Sequence, residues 1–138
     1  MPVTNCQTEA ALRLFLVSTS YSLTEPRGHG ETGVDLIATK EGQSIHVEII
    51  GYSEKPSKRA RDFFEAFFRA TSRLKDGASE CVIALPREYS RGLRQRASHY
   101  GIAWKRIGDA FPELSIWLID CGESACGVSV SKWNDWIA

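Results

Sequence analysis

The stretch GVDLIATKEGQSIHVEIIGY, residues 33–52, decides how this chain folds. Two runs rich in β-branched residues flank Glu41 and Gly42, and a two-residue centre with glycine second is typical of a tight β-hairpin. A turn centred there pairs residues symmetrically about it, which sets Asp35 opposite Glu48. A two- or four-residue loop at this point keeps that register, whereas a three-residue loop breaks it.

The predicted register places two carboxylates side by side on one face of the hairpin. Directly opposed residues lie about 4.5–5.5 Å apart at Cβ, and like charges at that spacing destabilise a sheet unless something offsets them. A divalent cation with oxygen ligands is the obvious candidate. The alternative is two acids at a solvated sheet edge, each paired with Arg or Lys. His46 shares a face with Glu48 and serves either as a base or as a packed side chain opposite Ile37.

An Asp on one strand, followed on the next strand by a Glu that precedes apolar residues and Gly, resembles the PD-(D/E)xK nuclease superfamily. Val34-Asp35 stands at the first acidic motif of that family, where proline is usual at the first position. Glu48-Ile49-Ile50 stands where the family has Glu-x-Lys, so Ile50 replaces the lysine. The resemblance covers most of the chain.

The resemblance implies a fold and a metal site. The fold is a single α/β domain over residues 1–138, with the three-layer restriction-endonuclease-like arrangement of a central mixed β-sheet flanked by helices. Asp35 and Glu48 would hold Mg²⁺ or Mn²⁺ with help from the carbonyl of Ile49, and the metal would polarise a scissile phosphate. Glu9 on the first helix is a further metal ligand in this view. Its alternative role is an ion pair with Arg13 at i,i+4.

The isoleucine at position 50 puts the implied hydrolysis in question. In such nucleases the lysine is thought to position or activate the attacking water and to stabilise developing charge, and an isoleucine does neither. Lys55 and Lys58 follow the strand and are the candidates to replace it, if the chain folds back to the site.

Charge is unevenly distributed along a chain whose formal net charge is zero. Residues 55–106 hold thirteen Lys and Arg but five Asp and Glu, whereas the rest of the chain holds four and twelve. A basic central segment between two acidic segments is compatible with binding of a polyanion such as DNA or RNA. The solvent-exposed faces of two helices would give the same pattern. The candidate nucleic-acid contacts are Lys55, Lys58, Arg59, Arg61, Arg91 and Arg94.

Length and composition fit one globular domain. The 138 residues are 43% hydrophobic and 25% charged, which is ordinary for a folded domain with its own core. No stretch reaches the roughly 18 apolar residues that a membrane span needs, and the patch Ala10–Val17 lacks a basic leader. We therefore expect a cytoplasmic protein without a membrane partner, whose four cysteines are reduced.

The remaining elements follow from periodicity and capping signals. Thr4 and Gln7 form a capping-box pattern ahead of a helix over residues 5–18. A second helix over about 58–75 carries an aromatic face that we assign to the core. Beyond it the sequence predicts strands over 80–85, 102–107 and 115–120, a basic helix over 88–100, and a short helix over 130–138. The residues of the aromatic face are Phe63, Phe64, Phe67, Phe68 and Leu74.

Three functions are compatible with these patterns. The chain is a metal-dependent nuclease with a relocated lysine, a catalytically inactive nuclease-fold module that binds nucleic acid or a protein partner, or an unrelated α/β domain in which the opposed acids are incidental. Binding of Mg²⁺ or Mn²⁺ separates the third from the first two. Cleavage of DNA separates the first from the second.

Overall fold

A computed structural model describes residues 3–24, 36–120 and 127–137. Four α-helices lie within these ranges, and short 3-10 helices follow the second helix, the fourth strand and the last strand. The helices are α1 (Asn5–Ser18), α2 (Pro56–Ser72), α3 (Ser90–Tyr100) and α4 (Ile102–Ala110). The strands are β1 (Ser22–Leu23), β2 (Leu36–Lys40), β3 (Gln43–Ile49), β4 (Glu80–Pro86), β5 (Leu114–Asp120) and β6 (Gly127–Lys132).

The strands described form one mixed sheet in the order β1-β2-β3-β4-β5-β6. The central strands β3, β4 and β5 are parallel, and the outer pairs are antiparallel. The chain returns from β3 to β4 through α2, and from β4 to β5 through α3 and α4. Both connections move one strand further in the same direction across the sheet. Because such connections between parallel strands are right-handed, α2, α3 and α4 all lie on the same face. An α/β domain with a mixed sheet is therefore confirmed.

The hairpin turn adopts the predicted geometry. Glu41 and Gly42 both have positive φ, 51° and 81°, as a type I′ turn requires. The predicted register is confirmed over the described part of the hairpin, where Ile37 is paired with His46. Asp35, the residue expected opposite Glu48, lies outside the described residues.

The two faces of the sheet have separate cores. On one face Leu12 and Leu16 of α1 pack with Val47 and Ile49, and this face has no other helix among the described residues. The opposite face is covered by α2, α3 and α4, and its core includes Phe63 together with the side chains of β4 and β5 that alternate toward it. Alternation along β3 therefore decides which helix each of its side chains meets.

The predicted strand over 102–107 is wrong, because these residues open α4. Gly101, with φ 53° and ψ −113°, breaks the helical path between α3 and α4. Trp104 then stacks on Trp133 with ring centroids 3.9 Å apart, and each indole Nε1–H donates to the other residue's carbonyl at 2.9 Å. These contacts satisfy two buried indole donors and hold α4 against the residues that follow β6.

Two further expectations need correction. The predicted helix over 130–138 is instead the end of β6 followed by a 3-10 helix, Trp133–Trp136. The aromatic face of α2 is only partly core: Phe63 is fully buried, but Phe64 and Phe68 leave 41% and 71% of their surface exposed. No helix in the described ranges combines the length and apolar character needed to cross a membrane.

We predict that Gly42→Ala lowers the free energy of unfolding by about 1–2 kcal/mol, because an L side chain in the left-handed region clashes with its own backbone. A Cβ at this position would meet no atom within 4 Å, so the loss measures backbone strain alone. Urea denaturation checks it. Glu41→Asn is the matched control and should unfold at equal or higher urea, because asparagine tolerates positive φ.

Candidate functional site

Glu48 lies on the face of β3 that α2 covers. Its carboxylate is buried, with 2% of the residue exposed. Arg73, in the 3-10 helix after α2, donates from Nε to Glu48 Oε1 at 3.4 Å and from its terminal nitrogen to Asp76 at 3.3 Å. A guanidinium thus neutralises the acid on which the nuclease resemblance depends.

The described residues do not fit a Mg²⁺ or Mn²⁺ site. Such ions need several oxygen ligands, and no group of three acidic, His or Cys side chains within the described ranges is arranged to hold a metal. Arg73 also places a positive charge next to Glu48, where the ion would have to sit. Ile50 is buried in the core on the same face, so the position of the family's lysine serves packing.

The structure does not bring Glu9 and Glu48 together. Glu9 belongs to α1, which packs on the opposite face of the sheet from α2. Its carboxylate accepts from Nε of Arg13 at 2.7 Å, the i,i+4 pair that was the alternative to metal binding. Arg13 also donates to the carbonyl of Thr24 and so ties α1 to the chain beyond β1.

His46 is buried on the same face of β3 as Glu48. Burial lowers the pKa of His46, and nearby Arg73 lowers it further against the opposing influence of Asp76. No described residue hydrogen-bonds its Nδ1. Cys81, its neighbour on β4, is also buried, and burial raises the pKa of this thiol to about 11. Burial thus keeps the Cys81 thiol protonated and favours an uncharged His46, so the cluster offers no thiolate.

The two lysines proposed to replace Ile50 lie at the start of α2. Both side chains are exposed, and Lys58 pairs with Asp62 at 2.7 Å. Arg73, which does reach Glu48, lies at the other end of that helix. The structure therefore places neither lysine against the Glu48 carboxylate.

A cavity of about 680 Å³ opens instead at the carboxyl ends of the parallel strands, between the start of α2 and the length of α3. In open α/β sheets this edge is where ligands usually bind, and the volume is typical of a ligand site. Three arginines line the cavity against one carboxylate, Glu88, so its charge is positive. The arginines are Arg59, Arg91 and Arg96, and the other polar lining residues include Gln95 and His99.

Aromatic rings hold two of these guanidiniums in place. Arg59 lies 4.5 Å from the ring centroid of Tyr52 and donates to the carbonyl of Ser53 at 2.7 Å. Arg96 lies 5.4 Å from the ring centroid of Phe63. Because cation–π contacts restrain a long side chain before any ligand arrives, the cavity presents ordered cations. Arg91 is exposed at its wall.

Tyr89 anchors the base of the cavity to the sheet. Its hydroxyl donates to the carbonyl of Gly51 at 3.0 Å, and its ring meets Tyr52 edge-to-face at 5.0 Å. Burial, with a smaller contribution from Asp62, raises the pKa of Tyr89 to about 12, so the phenol stays protonated and keeps donating. The carboxyl end of β3 is thereby fixed below the arginines.

Two of the six predicted nucleic-acid contacts, Arg59 and Arg91, meet in this cavity. Lys55, Lys58 and Arg61 are exposed near the start of α2 but do not line it. Arg94 points elsewhere, over the ring of Trp136 at 5.8 Å.

Sequence reasoning missed several lining residues, although a signal for them exists. They recur at helical spacing on one face of the segment that ends in α3. The polar residues of this face are Glu88, Arg91, Gln95, Arg96 and His99, of which Arg91 was among the predicted nucleic-acid contacts.

Comparisons of the chain with models of protein families, with curated proteins and with solved structures find no match. The site is therefore interpreted from its own geometry and charge.

We predict that Arg73→Met lowers the free energy of unfolding by about 3 kcal/mol, because it leaves the buried Glu48 carboxylate without its cation. The double variant Glu48→Leu/Arg73→Met should lose less than Arg73→Met alone, since no charge then remains buried. Denaturant unfolding of the two single variants and the double gives the coupling. Arg69→Met removes an exposed pair with Glu65 and should cost less than about 0.5 kcal/mol. Equal losses in Arg73→Met and Arg69→Met would contradict the pairing.

We predict that stability falls as the pH drops below about 6.5, the ordinary pKa of histidine. The folded state holds His46 at a lowered pKa, so the unfolded chain takes up the proton first and is favoured by acid. Thermal melts between pH 7.5 and 5.5 should show this slope, and His46→Gln should make it shallower. An unchanged slope in His46→Gln would show that the histidine is not held neutral.

Proposed function

We propose that this chain is a nucleic-acid-binding domain of the restriction-endonuclease-like fold that does not hydrolyse its ligand. The fold assignment draws on the order of the elements. A helix, an antiparallel hairpin with the acidic motif, a crossover helix and a parallel strand follow one another as the resemblance implies. The ligand class draws on the positive cavity at the carboxyl edge of the sheet.

The observation that carries the loss of hydrolysis is the buried contact between Glu48 and Arg73. Metal-assisted hydrolysis of a phosphodiester needs carboxylates that face the ligand and a cation at the scissile phosphate. Here the acid of the Glu-x-Lys position faces an internal guanidinium, and Ile50 faces the core. Glu48 and Ile50, the residues at those two positions, therefore make contacts inside the protein.

The observation that favours nucleic acid is the convergence of three guanidiniums on one cavity. Guanidinium groups match phosphate oxygens with paired donors and keep their charge at any physiological pH. The surrounding surface adds exposed cations at the start of α2, which extend the positive field beyond a single phosphate. A chain of phosphates fits this distribution better than an isolated anion.

We predict that the protein binds oligonucleotides in fluorescence anisotropy titrations and that binding weakens steeply as salt rises, because phosphate contacts release counterions. Arg91→Gln should weaken binding to a single strand about fivefold at about 0.1 M salt. It should also make the slope of log K against log salt shallower by about 0.7. The control Arg69→Gln also removes one positive charge, but from a residue of α2 that does not line the cavity. Its affinity and salt slope should be closer to those of the wild type.

The same oligonucleotides and a supercoiled plasmid test the absence of hydrolysis. With Mg²⁺ or Mn²⁺ added, the wild type should bind them and leave them intact. Metal-dependent cleavage that Glu48→Gln abolishes would overturn this part of the proposal. No binding at low salt would overturn the nucleic-acid assignment itself.

A further inference from the structure

The exposed aromatic rings of α2 form part of a second cavity. Phe64 and Phe68 stand at one side of a groove of about 240 Å³ between α2 and α4, and no charged side chain among the described residues lines it. The two rings are exposed together at one groove, and a contiguous apolar patch is more informative than a single exposed apolar residue. The walls of this aromatic groove include Phe64, Phe67, Phe68, Tyr100, Trp104 and Ile107.

The floor of the aromatic groove is rigid and its rim is open. Trp104 and Trp133 are buried and stacked on each other, and Phe67 packs against Trp133 with centroids 5.3 Å apart. At the rim, Phe68 and Tyr100 expose 71% and 44% of their surface. A flat apolar group entering from solvent would meet aromatic faces already fixed in position.

Tyr100 belongs to both cavities. It is the last residue of α3, it lines the arginine cavity, and it also lines the aromatic groove, where its ring meets Phe64 at 6.4 Å. The positive cavity and the apolar groove are therefore neighbours that share one side chain. A ligand that occupies both must carry an anionic group joined by a short link to a flat apolar group.

We infer that the aromatic groove accepts one unstacked base of a single-stranded nucleic acid whose phosphate lies in the arginine cavity. The inference rests on the proposed function and specifies its ligand. A nucleotide joins a phosphate to a flat base through one sugar. Proteins that bind single strands combine a positive groove with aromatic faces on which bases stack. No charged side chain among the described residues lines the groove, and every base has a flat face that can stack there, so we expect stacking to tolerate any sequence.

An apolar groove on helices also suits an amphipathic helix of a partner protein, which anchors itself through several side chains over two turns. The groove volume of about 240 Å³ has room for one ring system rather than for such a row of anchors. The adjoining arginines add charge complementarity to a phosphate. Duplex DNA keeps its bases stacked inside, so it reaches the arginine cavity without filling the groove.

Phe68→Ala tests the inference, because this ring is largely exposed and its removal spares the core. The variant should bind a single-stranded oligonucleotide about 5- to 150-fold more weakly, the range for losing one base–aromatic stack. Its salt slope should equal that of the wild type, because no phosphate contact is lost. Its affinity for an abasic oligomer of equal length, and for duplex, should be unchanged.

Two further variants separate stacking from general apolar contact. Phe68→Leu keeps an apolar side chain without a ring and should lose most of the same affinity. Leu14→Ala, at another largely exposed apolar site, on α1 across the sheet, should bind like the wild type. Thermal melts confirm that each variant is folded.

The outcomes are distinguishable from those of the proposed function. Unchanged single-strand binding in Phe68→Ala, with weakened binding in Arg91→Gln, would overturn the base site and leave the groove as a protein-docking surface. Equal losses on the normal and abasic oligomers would also overturn it. No oligonucleotide binding by the wild type would overturn the proposed function instead.

Discussion

A carboxylate buried on the face of a sheet is costly unless its charge is offset, and Arg73 places a cation beside Glu48. The contact joins Glu48, the next-to-last residue of β3, to Arg73 in the 3-10 helix that follows α2. The near end of α2 then lies over the carboxyl edge, where Arg59 reaches Tyr52. One side of the interaction places a cation against the buried acid, and the helix that leads to it forms a wall of the arginine cavity.

The local signals in the sequence predicted the elements that depend on local chemistry. A glycine second in a two-residue turn fixes a hairpin register without reference to the rest of the fold, and the described pairing follows it from Leu36 to Lys40. The capping box of Thr4 and Gln7 likewise starts α1 where the pattern predicts it. Such features depend on backbone geometry and on hydrogen bonds between residues a few positions apart, so a short stretch of sequence is enough to predict them.

The elements that were missed depend on distant partners. Ile102 and Trp104 fit the alternation of a strand, but Trp104 and Ile107 also fit one face of a helix. The stack of Trp104 on Trp133, about thirty residues away, selects the helix. The arginine cavity was predicted in part for the same reason. The charge pattern indicated Arg59 and Arg91 as ligand contacts. Arg96 joins them only because α3 lies beside α2 in the folded protein.

The aromatic side chains of α2 explain how one helix serves both the core and a ligand. Phe63 is buried and lies under the guanidinium of Arg96, so it belongs to the core and orders a cation of the cavity at once. Phe64 and Phe68 lie on an adjacent face of the same helix, and both rings are exposed to solvent. Exposed apolar side chains also occur elsewhere, for example Leu14 of α1, but Phe64 and Phe68 line a groove that adjoins the arginine cavity. The exposed pair therefore argues for a ligand with a flat apolar part, next to cations that the buried ring already holds in place.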